Sequence, residues 1–284
     1  MNRSYKQRSR ARWPFVLIAV VLVVAGLFLW RTANLPSGSP GEAAGPGAAD
    51  GAGAGNSGEP VVRHPIGQVT PAPAATAPLP ALDESDTDAA RTLLALAGDS
   101  GLDALLLHGQ LIRRIVATVD ALPRQGVATT VLPVRTPKGT FLVEHDAGGT
   151  TISARNAQRY APYMRVLQAV DPQALVAWYV RHYPLFQQAY QDLGYPKGYF
   201  NDRLVAAIDD MLAAPLPPPP VQLVQPKVFY RYADAELEAR SAGQKLLIRL
   251  GPADAAQVQQ RLRTLRALLT GAALPPAPAA SAAR

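Results

Sequence analysis

The most informative stretch of this sequence is residues 171–190, which read DPQALVAWYVRHYPLFQQAY. Its apolar and aromatic residues recur at intervals of three and four, the spacing that places side chains on one face of an α-helix. Asp171 is a favoured capping residue, and Pro172 stands in the first turn, where its missing N–H costs nothing. We predict a helix from Pro172 to about Tyr183, because Pro184 should kink or restart it.

Aromatic residues are concentrated around this helix, since ten of the chain's 19 fall within residues 160–200. Two interpretations stay open. The rings can form the core, because tyrosines pack their rings and hydrogen-bond their hydroxyls. Alternatively, rings and neighbouring polar side chains form a recognition groove for a peptide, a glycan or a partner protein. The candidate partner-binding residues for such a groove are Asn156, Arg159, Tyr160, Tyr195, Tyr199, Asn201 and Arg203.

The rest of the folded part is also read as mainly helical. A short helix should end near Leu96, and Ser100 with Asp103 forms a capping box that predicts a second helix reaching Leu122. Residues 123–151 alternate loosely around glycine turns, which indicates one small β-hairpin. The further predicted elements are helices at 156–170 and 201–212, extended segments at 221–224 and 228–232, and a C-terminal helical hairpin broken at Gly251-Pro252.

Composition shifts divide the chain into segments. We predict a mainly α fold, with a helical domain at 81–214 and a C-terminal subdomain at 215–270, joined by the proline-rich connector 215–220. The Ala- and Pro-rich tail 271–284 is expected to be disordered. The linker 31–80 is also expected to be disordered, because it is mostly Gly, Ala, Pro and Ser, a composition that buries too little apolar surface to offset its ordering entropy.

The N-terminus carries the signature of a membrane anchor. Residues 14–30 form an apolar run flanked by Trp13 and Trp30, about 25 Å long as a helix, at the short end for a spanning segment. A cleaved signal peptide is the alternative. A signal peptide has small residues just before its cleavage site, but here Arg31 occupies such a position directly after the apolar run. Five basic residues in the tail 1–13 place the N-terminus in the cytoplasm by the positive-inside rule. In a bacterium, the main domain then lies in the periplasm.

The charge distribution argues against nucleic acid as a partner. The net charge is +7, but six basic residues and no acid lie within residues 1–31, and the remainder has 22 Lys and Arg against 21 Asp and Glu. The chain has no cysteine and no Gly-Lys dipeptide, which excludes thiolate sites and a phosphate-binding P-loop. The four histidines lack metal-ligand spacing. No catalytic, cofactor-binding or metal-binding residue is assigned.

A series of short motifs resembles one known family in order and spacing, over roughly residues 79–270. The motifs are Leu79-Pro-Ala-Leu-Asp83 with Ser85-Asp86, Leu111-Ile-Arg-Arg114, Asn156 with Arg159-Tyr160, Tyr183-Pro-Leu-Phe186, Ala189-Tyr190, Leu193-Gly-Tyr-Pro196, Phe200-Asn-Asp-Arg203 and Ser241-Ala-Gly-Gln-Lys245. Together they resemble the bacterial domain-of-unknown-function 3014 family. The resemblance implies an N-terminally anchored envelope protein and brings no catalytic residues.

The sequence is compatible with two functions from different classes. The leading one is a binding or scaffolding module of the bacterial cell envelope, held in the inner membrane through residues 14–30. Its partner would be an envelope protein, a peptide or a glycan. The alternative is a cell-wall or envelope hydrolase with a carboxylate pair that sequence alone does not identify, for which two carboxyl groups about 5–10 Å apart across a cleft are needed.

Overall fold

A computed structural model describes residues 61–69 and 78–271, which form a helical domain with one small antiparallel sheet. The helices in these ranges are α1 (Asp86–Ala97), α2 (Leu111–Ala121), α3 (Asn156–Ala169), α4 (Pro172–Asp192), α5 (Phe200–Leu212), α6 (Ala235–Glu238), α7 (Ala242–Leu250) and α8 (Pro252–Thr270). The strands are β1 (Val143–Asp146), β2 (Gly149–Ile152), β3 (Gln222–Val224) and β4 (Arg231–Tyr232). The predicted mainly α architecture is confirmed.

Helix α4 is the longest helix described, and it packs against α1, α2, α5 and α8. Asp171 caps it as predicted, by accepting from the backbone N–H groups of Gln173 and Ala174. The predicted end of the helix near Tyr183 is wrong, because the helix continues through Pro184 to Asp192. The Pro184 ring lies on the exposed side, so the residues that follow it keep their places in the core.

The second predicted helix begins later than its capping box indicated. Helix α2 starts at Leu111, and Ser100 lies in a short 3-10 turn with its buried hydroxyl unpaired. The cap comes from elsewhere: the Asp86 carboxylate accepts from the backbone N–H groups of Gln110 and Leu111, at 2.5 and 2.7 Å. Gln110 has a left-handed backbone conformation, which ends any helix entering from residues 102–109.

The β-hairpin and the two extended segments form one sheet. Strands β1 and β2 pair as the predicted hairpin, and β3 and β4 extend it in the order β1-β2-β3-β4. Helices α7 and α8 form the predicted C-terminal pair on either side of Gly251. They pack against α5 and share one apolar core with α1 to α5, so residue 215 does not separate two cores.

The predicted anchor 14–30, the tail 1–13 and residues 272–284 lie outside the described residues. No helix within residues 61–69 and 78–271 is long and apolar enough to cross a membrane. Residues 61–69, here called the strap, belong to the stretch predicted as disordered linker, yet they are ordered against the domain. Val69 is buried, and the 3-10 turn Ile66–Gln68 lies against α8.

Candidate functional site

The start of α5 holds the strap through its main chain. The backbone N–H groups of Arg63 and His64 donate to the two carboxylate oxygens of Asp202, at 3.0 and 2.7 Å. The backbone N–H of Ile66 donates to the hydroxyl oxygen of Tyr199, at 2.6 Å. Two side chains therefore accept three hydrogen bonds from the main chain of the strap.

Asn201 is the third side chain of this site, and it contacts the strap from the interior of the domain. Its side chain is fully buried, and its Nδ2 donates to the carbonyl oxygens of His64 at 2.8 Å and Leu269 at 3.4 Å. The Tyr179 hydroxyl donates to Asn201 Oδ1 at 3.3 Å. Because the hydroxyl lies on the oxygen side of the amide, the amide nitrogen faces the strap carbonyl.

The loop before α5 is fixed by Gln187 of α4. Its Nε2 donates to the carbonyl oxygen of Gly198 at 2.7 Å, and its Oε1 accepts from the backbone N–H of Phe200 at 2.9 Å. These two bonds hold Tyr199 between them. Gly198 is required here, since an added Cβ would lie 2.7 Å from the Tyr190 ring.

A buried acid anchors the next turn of α5. Asp120 of α2 accepts from Arg203 Nε at 2.9 Å, and it also pairs with Arg124. The Tyr195 hydroxyl accepts from Arg124 at 2.7 Å and donates to Asp120 at 3.3 Å, while its ring stacks on Tyr190 at 4.6 Å. The Asp120 charge beside it raises the pKa of Arg124. Arg203 and Tyr195 thus fasten α5 and its loop to α2.

The other three candidate residues lie in a separate network at the start of α3. Asn156 is buried, donates to the carbonyl oxygens of Leu142 and Ser153 and accepts from the backbone N–H of Leu142. Arg159 donates to the carbonyl oxygens of Lys138 and Gly139. Tyr160 is buried, with the Arg159 guanidinium 5.7 Å from its ring centre. These residues hold the loop that leads into β1.

Most of the aromatic segment is core. Eight of its ten rings are buried, and only those of Tyr195 and Tyr199 are half-exposed. Burial raises the pKa of Tyr179 strongly and that of Tyr163 to about 12, because the charged phenolate would lose its hydration. Around the start of α5 the structure brings together Tyr195, Tyr199, Asn201 and Arg203. The other three candidates, Asn156, Arg159 and Tyr160, lie in the separate network at the start of α3.

Two further polar and apolar features lie outside this site. His182 of α4 is buried, with Nδ1 2.8 Å from the Trp178 carbonyl oxygen and Nε2 3.5 Å from a carboxylate oxygen of Asp88. A cavity of about 330 Å³ lies between Asn156, the connector at 216–221 and the start of α8. Within the described ranges, no three His, Asp or Glu side chains form a group that could hold a metal ion.

Sequence reasoning missed Asp202 and the strap. An acid in the first turn of a helix is usually a partner of the helix dipole, so Asp202 was not a candidate site residue although it belongs to the motif Phe200-Asn-Asp-Arg203. The strap did carry one. Residues 61–69 contain four aliphatic side chains, whereas the surrounding linker is almost all Gly, Ala, Pro and Ser.

Comparison with known families identifies the family of this chain. The sequence profile described as "Protein of unknown function (DUF3014)" matches residues 111–266, which is more than half of the chain. No curated protein and no solved structure matches. The profile covers α2 to most of α8 and therefore includes Tyr199, Asn201 and Asp202. The chain belongs to the DUF3014 family.

Proposed function

We propose that this protein is a binding or scaffolding module of the bacterial cell envelope that captures a peptide segment of another protein at the start of α5. The observation that carries the proposal is the docked strap. Tyr199, Asn201 and Asp202 bind the backbone N–H and C=O groups of the strap. Main-chain hydrogen bonds of this kind give affinity for a peptide while side-chain pockets give selectivity.

Binding is better supported than hydrolysis at this place. The two carboxylates of the site already have partners, since Asp202 accepts from strap N–H groups and Asp120 pairs with two arginines. A glycosidase needs two carboxyl groups that face one substrate bond across an open cleft. The groups gathered here instead match the donors and acceptors of a peptide main chain.

The proposal places the domain outside the inner membrane, on the anchor predicted at residues 14–30. Because the natural chain has no cysteine, single cysteines report the topology directly. In spheroplasts, a membrane-impermeant maleimide should label Ser57→Cys and should leave Ser4→Cys unlabelled until the membrane is broken. Labelling of Ser4→Cys in intact spheroplasts, with Ser57→Cys protected, would reverse the proposed orientation.

Photocrosslinking in living cells tests the binding function. A benzoylphenylalanine in place of Lys197, an exposed residue two positions before Tyr199, should give an adduct that mass spectrometry maps to one segment of an envelope protein. The adduct should disappear when Asp202→Ala is added. The matched control carries the crosslinker in place of Asp146, at the exposed end of β1. Identical adducts from both positions, or none at 197, would contradict the proposal.

A further inference from the structure

The strap is held as a peptide ligand would be held. The hydrogen bonds that hold the strap are made by its backbone, through three N–H groups and the carbonyl oxygen of His64. Side chains contribute only at its C-terminal end. These atoms belong to every peptide. The site therefore recognises the backbone conformation of the bound segment and accepts different side chains at most of its positions.

Proline at the third bound position fits this pattern. Between residues 63 and 66 every backbone N–H donates to the domain, and Pro65 has none to donate. Its backbone angles are φ −64° and ψ 137°, close to the polyproline II conformation that proline favours. A proline here lowers the conformational entropy lost on docking without leaving a donor unpaired.

Two aliphatic side chains supply the remaining selectivity. Val69 is buried in the core, and Ile66, three residues before it, packs against the core from the edge. Val61 and Arg63 are exposed, and a Cβ added at Gly67 would meet no atom within 4 Å. The pattern that the site selects is thus a proline in extended conformation, an aliphatic residue directly after it and a second aliphatic residue three positions later, at the end of a 3-10 turn.

We propose that the strap is the resting occupant of the site, and that a partner protein binds by replacing it with a segment of the same pattern. This inference rests on the proposed function and adds both the chemistry of the partner and its regulation. A tethered segment acts at an effective concentration in the mM range. A free peptide of equal contacts therefore binds the intact protein more weakly, by the fraction of molecules whose site is open.

The test measures binding of one labelled peptide by fluorescence anisotropy. The probe is a synthetic peptide with the sequence of residues 60–69, PVVRHPIGQV, added to the full-length protein in detergent. The release variant, Arg63→Pro with His64→Pro, removes the two N–H groups that reach Asp202 and keeps the aliphatic residues Ile66 and Val69 of the strap. It should bind the probe at least about tenfold more tightly than the wild type.

Three controls define this result. Gly67→Ala points into open space and should bind the probe as weakly as the wild type. Asp202→Ala added to the release variant should abolish the gain, because probe and strap use the same carboxylate. A probe with aspartate in place of the residue that corresponds to Ile66 should not bind. Unfolding midpoints of all variants establish that each protein is folded.

The outcomes separate this inference from the proposed function. Equal probe binding by wild type and release variant would overturn the inference, since the strap would not be blocking the site. Absence of binding to both proteins would overturn it as well, because the strap would not represent the partner. In either case the adduct at residue 197 decides independently whether the proposed function stands.

Discussion

Asp120 pairs with two arginines that differ in exposure, and this difference determines how much each ion pair contributes to the free energy of unfolding. The Arg203 side chain is 25% exposed and lies against a carboxylate that is 8% exposed, whereas that of Arg124 is 54% exposed. Removing Arg203 leaves part of a buried charge uncompensated. We predict that Arg203→Ala lowers the free energy of unfolding by about 1.5–3 kcal/mol, the range for hydrogen bonds to charged groups.

Arg124→Ala is the matched control, because it removes the more hydrated partner of the same acid. Its cost should stay below about 1 kcal/mol, as for exposed ion pairs. Urea unfolding followed by circular dichroism measures both variants. A larger cost for Arg124→Ala than for Arg203→Ala would contradict the assigned roles.

His182 should make stability depend on pH. Burial lowers the pKa of His182 below its ordinary 6.5, with Arg181 acting in the same direction and the Trp178 carbonyl and Asp88 acting against it. The unfolded chain then takes up the proton at a higher pH than the folded chain does. The stability contribution is therefore complete above pH 6.5, and it falls as the pH drops below 6.5 toward the lowered pKa.

Urea unfolding at about pH 7.5 and about pH 5.5 measures this effect. The wild type should be less stable at the lower pH, and His182→Gln should show a smaller loss. His145→Gln, a replacement on the exposed face of β1, should keep the wild-type difference. A loss in His182→Gln equal to that of the wild type would show that His182 is not its source.

Among single residues, the sequence predicted part of the site at the start of α5 but not the strap that this site binds. Tyr199 and Asn201 were candidates because they combine ring and amide chemistry beside a loop. Their target was hidden, because Ile66 and His64 lie more than 130 residues away in the chain. Asn156 and Arg159 have the same chemistry but bind nearby loop carbonyls, and residue type alone does not separate the two cases.

Among the elements, the start of α2 gives the sharpest contrast between sequence and structure. Asp86 caps this helix from 24 residues earlier in the chain, whereas Asp103 of the predicted capping box is exposed. We predict that Asp86→Ala lowers the free energy of unfolding by about 1–2 kcal/mol and that Asp103→Ala costs less than about 0.5 kcal/mol. If urea unfolding showed a larger loss for Asp103→Ala than for Asp86→Ala, the predicted capping box would be the true cap and this account would be contradicted.

Helix α4 yields a second prediction at this scale. Pro184 interrupts its hydrogen-bond ladder on the exposed side, so Pro184→Ala should raise the free energy of unfolding by about 1–3 kcal/mol. Pro172→Ala, in the first turn, should give no such gain. Thermal unfolding of the two variants compares them. A gain from Pro172→Ala alone would contradict this account of the helix.

Helix positions and several helix ends followed from the sequence, but the start of α2 and the end of α4 did not. The buried face of α8, with Val258, Leu262 and Leu265, was evident from spacing. The start of α2 and the continuity of α4 depend on contacts that local patterns do not contain: a distant carboxylate in one case and packing beyond a proline in the other. Tertiary contacts therefore override local signals at both places.

In the whole molecule, the least predictable feature is the docking of the strap. Composition predicts disorder for a Gly-, Ala- and Pro-rich linker, because such a segment lacks a core of its own. The strap needs none, since Val69 enters the core built by the helices and the backbone donors end on α5 and its loop. A few aliphatic residues in a polar linker are enough when the domain supplies the other half of the contact.

Hydrogen exchange in the full-length protein tests the docked strap most directly. In the wild type, the amides of Arg63, His64 and Ile66 should exchange at least about tenfold more slowly than in a free peptide of the same sequence. Asp202→Ala should remove the protection at residues 63 and 64. Asp209→Ala, on the same helix but paired with Arg266, should preserve it. Exchange in the wild type as fast as in the free peptide would contradict the account.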